Sequence, residues 1–244
     1  MIRFASDLRS RGNMPDHLSA LQLILTGDPA LLSIVRLSLG VSLAAVLLAA
    51  VIGMPIGGLL ALTHFPGRAI LVVLLNAMMG LPPVVVGLSL YLLLSRAGPL
   101  GELGILFTPT AMVIAQTVLI VPIIAALTRQ TIEDLWVEYR DELKAMNVNA
   151  IGRMTTLLWD ARFSLLTALL AGFGRAAAEV GAVMIVGGNI DGFTRMMTTA
   201  VALETSKGNL PLAMGLGAIL ITIVLAINAA AWGTRAWSER LTGR

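Results

Sequence analysis

Two ionisable residues, Arg175 and Glu179, fall within one long apolar segment and are the residues best placed to do chemistry. They are four positions apart, which puts both side chains on one face of a helix. Ionisable groups within a membrane span usually face a partner or a water-filled path. The spacing therefore supports two interpretations: a structural ion pair in which each charge neutralises the other, or the polar lining of a translocation path in which Arg175 attracts an anion.

Several other chemistries lack the residues that they need. The two histidines, His17 and His64, are far apart and the chain has no cysteine, so a metal site or a Ser-His-Asp hydrolase is poorly supported. Met184, Met196 and Met197 are expected to pack rather than to bind a metal. The sequence has no GxxxxGK[ST] phosphate-binding loop and no run of lysines and arginines, which disfavours nucleotide and nucleic-acid binding. We therefore expect no catalytic residue, no metal site and no cofactor bound by this chain.

The composition indicates what surrounds these residues. Of the 244 residues, 57% are hydrophobic and 13% are charged, whereas a soluble domain has about 25% charged residues. A helix needs about 20 apolar residues to cross the bilayer core. Five segments are long enough, which predicts an all-α polytopic membrane protein with five transmembrane helices. These segments are residues 30–62, 69–94, 109–127, 163–186 and 211–232.

Basic residues predict the orientation of the spans. If segments 63–68 and 129–162 and the C-terminal tail face the cytoplasm, that side holds nine lysines and arginines, against four on the other side or seven with the N-terminal extension. Cytoplasmic loops are usually the more basic, so we expect the N-terminus outside and the C-terminus inside. The predicted domains are a polar extension with a short interfacial helix (1–29), a membrane domain (30–235) and a cytoplasmic tail (236–244).

Small residues and prolines mark places where helices pack closely or break. Pro82 and Pro83 remove two backbone donors in mid-span, which fits either a plain kink or a broken helix at a gate. The glycine-rich segment 187–195 fits either an ordinary turn or an external loop that closes the gate. Its polar residues are Asn189, Thr194 and Arg195. The pairs Gly53 and Gly57, Gly172 and Ala176, and Gly174 and Ala178 predict close helix packing, and Arg36 is near enough to a membrane face to snorkel.

The segment 129–162 is the one long polar stretch between spans. Apolar residues recur among its charges at helical spacing, from Leu135 to Ile151. Asn147 can adopt the left-handed conformation that ends a helix. We expect a charged helix, a sharp turn and a second amphipathic helix that leads into the membrane. Such a segment is either a solvated loop or a docking surface for a soluble partner.

Four motifs resemble those of one family, the type I ABC-transporter permeases. Residues 141–148 resemble its EAA loop, with Asp141 at the Glu position, Asn147 at the Gly position and Trp159-Asp160 near the usual Leu-Pro. Residues 76–91 and 171–195 resemble segments of molybdate and tungstate permeases, and 198–209 looks closest to the tungstate branch. The resemblance covers roughly residues 30–235. It implies the type I ABC permease (MetI-like) fold in a cell inner membrane.

The resemblance also implies a function and a set of partners. The chain is expected to be the permease subunit of an ATP-driven importer for a tetrahedral oxyanion, tungstate or alternatively molybdate. It implies a homodimer, two ATPase subunits that bind ATP and Mg, and a periplasmic or extracellular binding protein. An ion-gradient-driven transporter is the alternative from a different class. By the match, the residues that couple to the ATPase are Asp141, Glu142, Ala145, Asn147 and Val148, and the path or gate residues are Pro82, Pro83, Arg175, Glu179, Asn189, Thr194 and Arg195.

Overall fold

The structure is a computed structural model that describes residues 29–242. The extension predicted over 1–29, with its interfacial helix, therefore lies outside the described residues except for Pro29. The described residues form nine α-helices and one 3-10 turn, without a strand. The α-helices are α1 (Pro29–Leu62), α2 (Arg68–Met79), α3 (Pro83–Leu94), α4 (Pro109–Ala145), α5 (Ala150–Asp160), α6 (Arg162–Ala177), α7 (Gly181–Gly187), α8 (Met197–Ser206) and α9 (Leu210–Thr242), and the 3-10 turn is Gly101–Leu103.

Three of these helices, α1, α4 and α9, are long and apolar enough to cross a membrane. The bent pairs α2–α3 and α5–α6, with angles of 99° and 74°, raise the count to five if each pair is one span. The predicted all-α membrane fold is therefore confirmed, with differences in the bounds. The third span does not end at residue 127 but continues as α4 to Ala145, and α9 continues to Thr242, through most of the predicted tail.

The predicted span 163–186 is divided into α6 and α7. Helix α6 ends at Ala177 and α7 begins at Gly181. The apolar pattern runs through this break without interruption, so hydropathy alone does not reveal it. Long-range hydrogen bonds to the residues at the break, described below, take the place of the helical ones.

Helix α4 is the centre of the fold, and glycines allow α1 to approach it closely. A Cβ at Gly57 would lie 2.4 Å from the Ala125 carbonyl oxygen, and one at Gly53 would lie 3.1 Å from the Val121 carbonyl oxygen. The prediction that this small-residue pair packs against another helix is confirmed. Gly172 likewise contacts α4, whereas Gly174 has no neighbouring atom within 4 Å of its Cβ position.

An ion cluster joins α1, α2 and α4 at the end of α1. Arg68 and Arg129 both donate to the carboxylate of Glu133, and Arg68 Nε also donates to the Leu60 carbonyl oxygen at 2.7 Å. The three charged side chains are between 17% and 30% exposed. This cluster fixes the short connection between α1 and α2 against α4, on the side that the basic residues predict to be cytoplasmic.

Candidate functional site

A defined turn joins α4 to α5 in the segment with the EAA-like motif. Asn147 has φ +50°, in the left-handed region predicted for it. Its N–H donates to the Lys144 carbonyl oxygen at 3.0 Å, and the N–H of Val148 donates to the Leu143 carbonyl oxygen at 3.2 Å. These two bonds form a Schellman motif. Asn149 then caps α5 by accepting a hydrogen bond from the Gly152 N–H at 2.7 Å.

The inner side of the segment 129–162 is packed against the ends of α1 and α6. Leu157 is fully buried and Leu143 is 8% exposed. Val148 packs against the same cluster, which completes the apolar contact between the two ends of the Schellman motif. The buried members of this cluster are Ala61, Ile132, Leu143, Leu157, Ala161 and Leu165. The turn is therefore fixed to the membrane helices and can move with them.

The other side of the turn is open. Of the five residues predicted to contact an ATPase, Val148 is half-buried and the other four, Asp141, Glu142, Ala145 and Asn147, are exposed. Two apolar neighbours, Met146 and Ile151, are 74% and 73% exposed. Both residues belong to the apolar pattern that predicts the helices of this segment. The pattern does not indicate that their side chains face outward.

The segment ends at the bend between α5 and α6. Arg162 donates to the Trp159 carbonyl oxygen at 2.8 Å, and its guanidinium lies 5.1 Å from the centre of the Trp159 ring. Trp159 is 70% exposed. Trp159 stands near the usual Leu-Pro position of the EAA pattern, and here its cation–π contact with Arg162 lies at the corner.

The break between α6 and α7 is polar and buried. Arg175 Nη1 donates to Glu179 Oε2 at 2.8 Å, and Glu179 Oε1 accepts from the Ala182 N–H at 3.0 Å. The Glu179 side chain is 3% exposed and that of Arg175 is 30% exposed. Glu179 thus has two partners, Arg175 and the Ala182 N–H. The Ala182 N–H is in the first turn of α7, where N–H groups have no partner within the helix. The carboxylate therefore stabilises the break as well as neutralising the arginine.

Two uncharged residues complete this polar break, and the sequence reasoning missed both. Gln116 of α4 is fully buried and donates to the Ala176 carbonyl oxygen at 3.1 Å. Thr198 donates to the Glu179 carbonyl oxygen at 2.8 Å. A glutamine in the middle of an apolar span was the available signal for Gln116.

The proline break between α2 and α3 lies beside the polar break. Pro82 is extended, with φ −64° and ψ 122°, and α3 begins at Pro83, so the sequence breaks the helix rather than kinking it. A Cβ at Gly181 would lie 2.9 Å from Val84 Cγ2, and one at Gly87 would lie 2.7 Å from the Ala182 Cα. Helices α3 and α7 therefore pack closely at Gly87 and Gly181. As a result, the break between α2 and α3 and the break between α6 and α7 lie side by side.

Hydrogen bonds close the segment 187–195 into a compact loop. The fully buried Thr194 donates to the Gly187 carbonyl oxygen at 2.5 Å and accepts from the Ile190 N–H at 2.9 Å. Asn189 has φ +51°, and Arg195 pairs with Asp191 at 2.8 Å. Three of the seven predicted path or gate residues, Asn189, Thr194 and Arg195, thus lie together in one loop, and the other four lie at the two helix breaks. Within residues 29–242, no group of three or more His, Cys, Asp or Glu is arranged to hold a metal.

Comparison with known proteins gives the family. No protein-family model matches the chain. It is 41% identical to a probable anion ABC transporter permease of Haloferax volcanii, over 88% of this chain and 93% of that one. It is 37% and 36% identical to the tungstate uptake system permease TupB of Peptoclostridium acidaminophilum and of Campylobacter jejuni, over 86% of this chain in each case and 92% and 87% of those proteins. At these identities over most of both chains, the protein belongs to the ABC-transporter permeases and is a multi-pass membrane protein.

Proposed function

We propose that this chain is the permease subunit of an ATP-driven importer for a tetrahedral oxyanion, and that the anion is tungstate. The observation that carries the proposal is the 36–41% identity to an anion permease and two tungstate uptake permeases over at least 86% of this chain. Two copies of the permease, two ATPase subunits and an external binding protein form the proposed transporter. ATP and Mg are bound by the ATPase, since this chain has no phosphate-binding loop.

The exposed side of the α4–α5 turn supports docking of the ATPase there. Met146 and Ile151 expose apolar side chains on the two sides of the turn, and the charged Asp141 and Glu142 in the last part of α4 are exposed as well. An apolar patch with a polar rim is typical of a protein interface. Because the opposite side of the turn is packed against α1 and α6, movement of a docked ATPase would be transmitted to the membrane helices as a rigid-body movement.

The test of this docking surface is Ala145→Glu. Ala145 is exposed, so the substitution should leave the permease folded while placing a new carboxylate in the interface. Gln130→Glu is the matched control because it adds the same charge to an exposed position of α4 about 22 Å away along the helix. We expect the ATPase to co-purify with the control and not with Ala145→Glu. Equal co-purification of both variants would contradict the docking surface.

The two adjacent helix breaks support a path for the anion. Interrupted helices in membrane proteins commonly line a polar cavity or binding site. The Arg175–Glu179 pair and the proline break between α2 and α3 meet there. The described residues contain at most five spans, which provide half of such a path, and a second copy completes it. We expect Arg175→Ala to abolish transport with normal assembly and Arg175→Lys to retain part of it, whereas full transport by Arg175→Ala would leave the pair a purely structural role.

The substrate is tested by uptake into proteoliposomes that contain the permease, its ATPase and its binding protein. We expect ATP-dependent accumulation of tungstate that molybdate reduces by competition at the binding protein. Accumulation of molybdate in preference to tungstate would reassign the importer to molybdate. Uptake driven by an ion gradient without ATP would contradict the importer class altogether.

A further inference from the structure

Arg36 and Arg195 line one cavity of about 420 Å³ at the start of α1. Ser33 and Phe193 are also part of its wall. Arg36 is 24 residues from Leu60, which corresponds to about 36 Å along α1. The cavity therefore lies at the opposite end of α1 from the Arg68 ion cluster, on the side that the basic residues predict to be external.

The charges of this cavity are not balanced. Arg36 is exposed and makes no ion pair among the described residues. Arg195 pairs with Asp191, but its Nε is buried and has no hydrogen-bond partner within residues 29–242. Asp191 is 78% exposed. Among residues 29–242, two guanidinium groups and one carboxylate leave one positive charge at the cavity, whereas Arg68, Arg129 and Arg175 all pair with a glutamate.

The cavity is connected to the loop and helix that follow the polar break in the chain. Arg195 directly follows Thr194, whose hydroxyl closes the loop 187–195. Met197, two residues further on, donates its N–H to Ser38 Oγ at 2.8 Å, and Ser38 is two residues after Arg36. The same short stretches of chain thus form the cavity and join α1 to the start of α8.

We propose that this cavity is an outer anion site, which receives the free oxyanion dianion before it enters the membrane path. The inference rests on the proposed function. Guanidinium groups bind tetrahedral oxyanions through paired N–H donors, and the exposed Arg36 has donors available, while Arg195 lines the same cavity. Because the cavity is open to solvent and retains one net positive charge, binding is weak and reversible, as a site on a transport path requires.

The absence of native cysteine allows a direct test of the site. Phe193 is 50% exposed and lines the cavity, so Phe193→Cys places a thiol there. The permease–ATPase complex, in nanodiscs of phosphatidylcholine, is treated with an anionic and a cationic methanethiosulfonate reagent. We expect the anionic reagent to react faster, on the order of tenfold for one unit charge at short range, and tungstate to slow that reaction. Leu103→Cys, 59% exposed in the 3-10 turn, should show neither effect.

Arginine substitutions assign the effect to the cavity. In the Phe193→Cys background, Arg36→Gln and Arg195→Gln should each reduce protection by tungstate several-fold. Arg96→Gln removes an exposed arginine from the same predicted side and should leave the protection intact. Equal protection at Phe193→Cys and Leu103→Cys, or protection that survives Arg36→Gln, would overturn the proposal.

Two further arms separate the proposal from its alternatives. If anionic phosphatidylglycerol in the nanodisc protects the thiol and tungstate does not, the cavity holds a lipid phosphate and the proposal is wrong. Uptake is measured on the unsubstituted permease with ATPase and binding protein. Protection without tungstate uptake would refute the proposed function and support the anion site. Uptake without protection would refute the site alone.

Discussion

The crossing of α1 over α4 should depend on the absence of a side chain at Gly57. A Cβ there would lie 2.4 Å from the Ala125 carbonyl oxygen and 2.9 Å from the Arg129 nitrogen, whereas ordinary contacts are 3.4–4 Å. Both neighbours are backbone atoms, so neither can move aside by changing rotamer. Gly57→Ala must separate the two helices by about 1 Å at this point, the size of overpacking that costs about 1–3 kcal/mol.

Three other glycines of α1 provide a graded comparison for the same substitution. A Cβ at Gly53 would lie 3.1 Å from backbone, one at Gly58 would meet only the flexible Met154 side chain at 3.4 Å, and one at Gly40 would meet nothing within 4 Å. Replacing glycine with alanine inside a helix stabilises the helix by up to about 1 kcal/mol. This contribution is common to all four substitutions, so differences between them report the contacts of the new Cβ. We expect stability to fall in the order Gly40→Ala, Gly58→Ala, Gly53→Ala, Gly57→Ala.

The assay is thermal unfolding in detergent, followed by the intrinsic fluorescence of the four tryptophans. A difference of about 1–3 kcal/mol corresponds to roughly 2–12 °C in Tm for a chain of this size. We therefore expect Gly57→Ala to unfold at least about 2 °C below Gly40→Ala. Equal Tm values for Gly57→Ala and Gly40→Ala would refute the argument that backbone contact at this crossing limits the residue to glycine.

Three further substitutions test other features of the structure. Asn147→Val should lower the stability of the α4–α5 turn by about 1–2 kcal/mol, because β-branched residues disfavour positive φ, and Asn147→Gly should not; Tm and ATPase co-purification measure both. Glu133→Gln should destabilise the ion cluster by about 1 kcal/mol, since Arg68 and Arg129 then lose their shared carboxylate, and the loss of Tm should shrink in high salt. Thr194→Val should destabilise the loop 187–195 by about 1–3 kcal/mol, because the carbonyl of the buried Gly187 and the partly buried Ile190 N–H both lose their partner; Thr194→Ser, which keeps the hydroxyl, should lose less.

Local sequence rules predicted the features that depend on local geometry. Asn147 adopts positive φ, as an asparagine at a helix end can, and Pro82 and Pro83 stand where α3 begins. Gly53 and Gly57 pack against another helix, as their four-residue spacing indicates. Each of these follows from backbone conformation or from the shape of one helix face, and so it is visible in a short stretch of sequence.

Features made by residues distant in the sequence were not predicted. The break after α6 depends on hydrogen bonds from Gln116 and Thr198, which are 60 and 19 residues from their partners. Arg36 was interpreted as a snorkelling residue at a membrane face, and its position beside Arg195 arises only when α1 and the loop 187–195 come together. The outward direction of Met146 and Ile151 depends on which face of the turn packs on α1 and α6. Helical periodicity identifies an apolar position without telling which neighbour it contacts.

The length of α4 gives it the geometry of a lever. Its 37 residues extend about 55 Å, with about 30 Å between Ala125 and the α4–α5 turn and about 24 Å between Ala125 and its other end. With the Gly57 crossing as the fulcrum, a 3 Å stroke at the turn would tilt the helix by about 6° and displace the far end by about 2 Å in the opposite direction. That end adjoins the loop 187–195, because Phe107 donates its N–H to the Val186 carbonyl oxygen at 2.9 Å and Met112 packs beneath Gly187. The two arms differ by about a fifth in length, so a stroke delivered at one membrane face would reach the other at about four-fifths of its size and in the reversed direction.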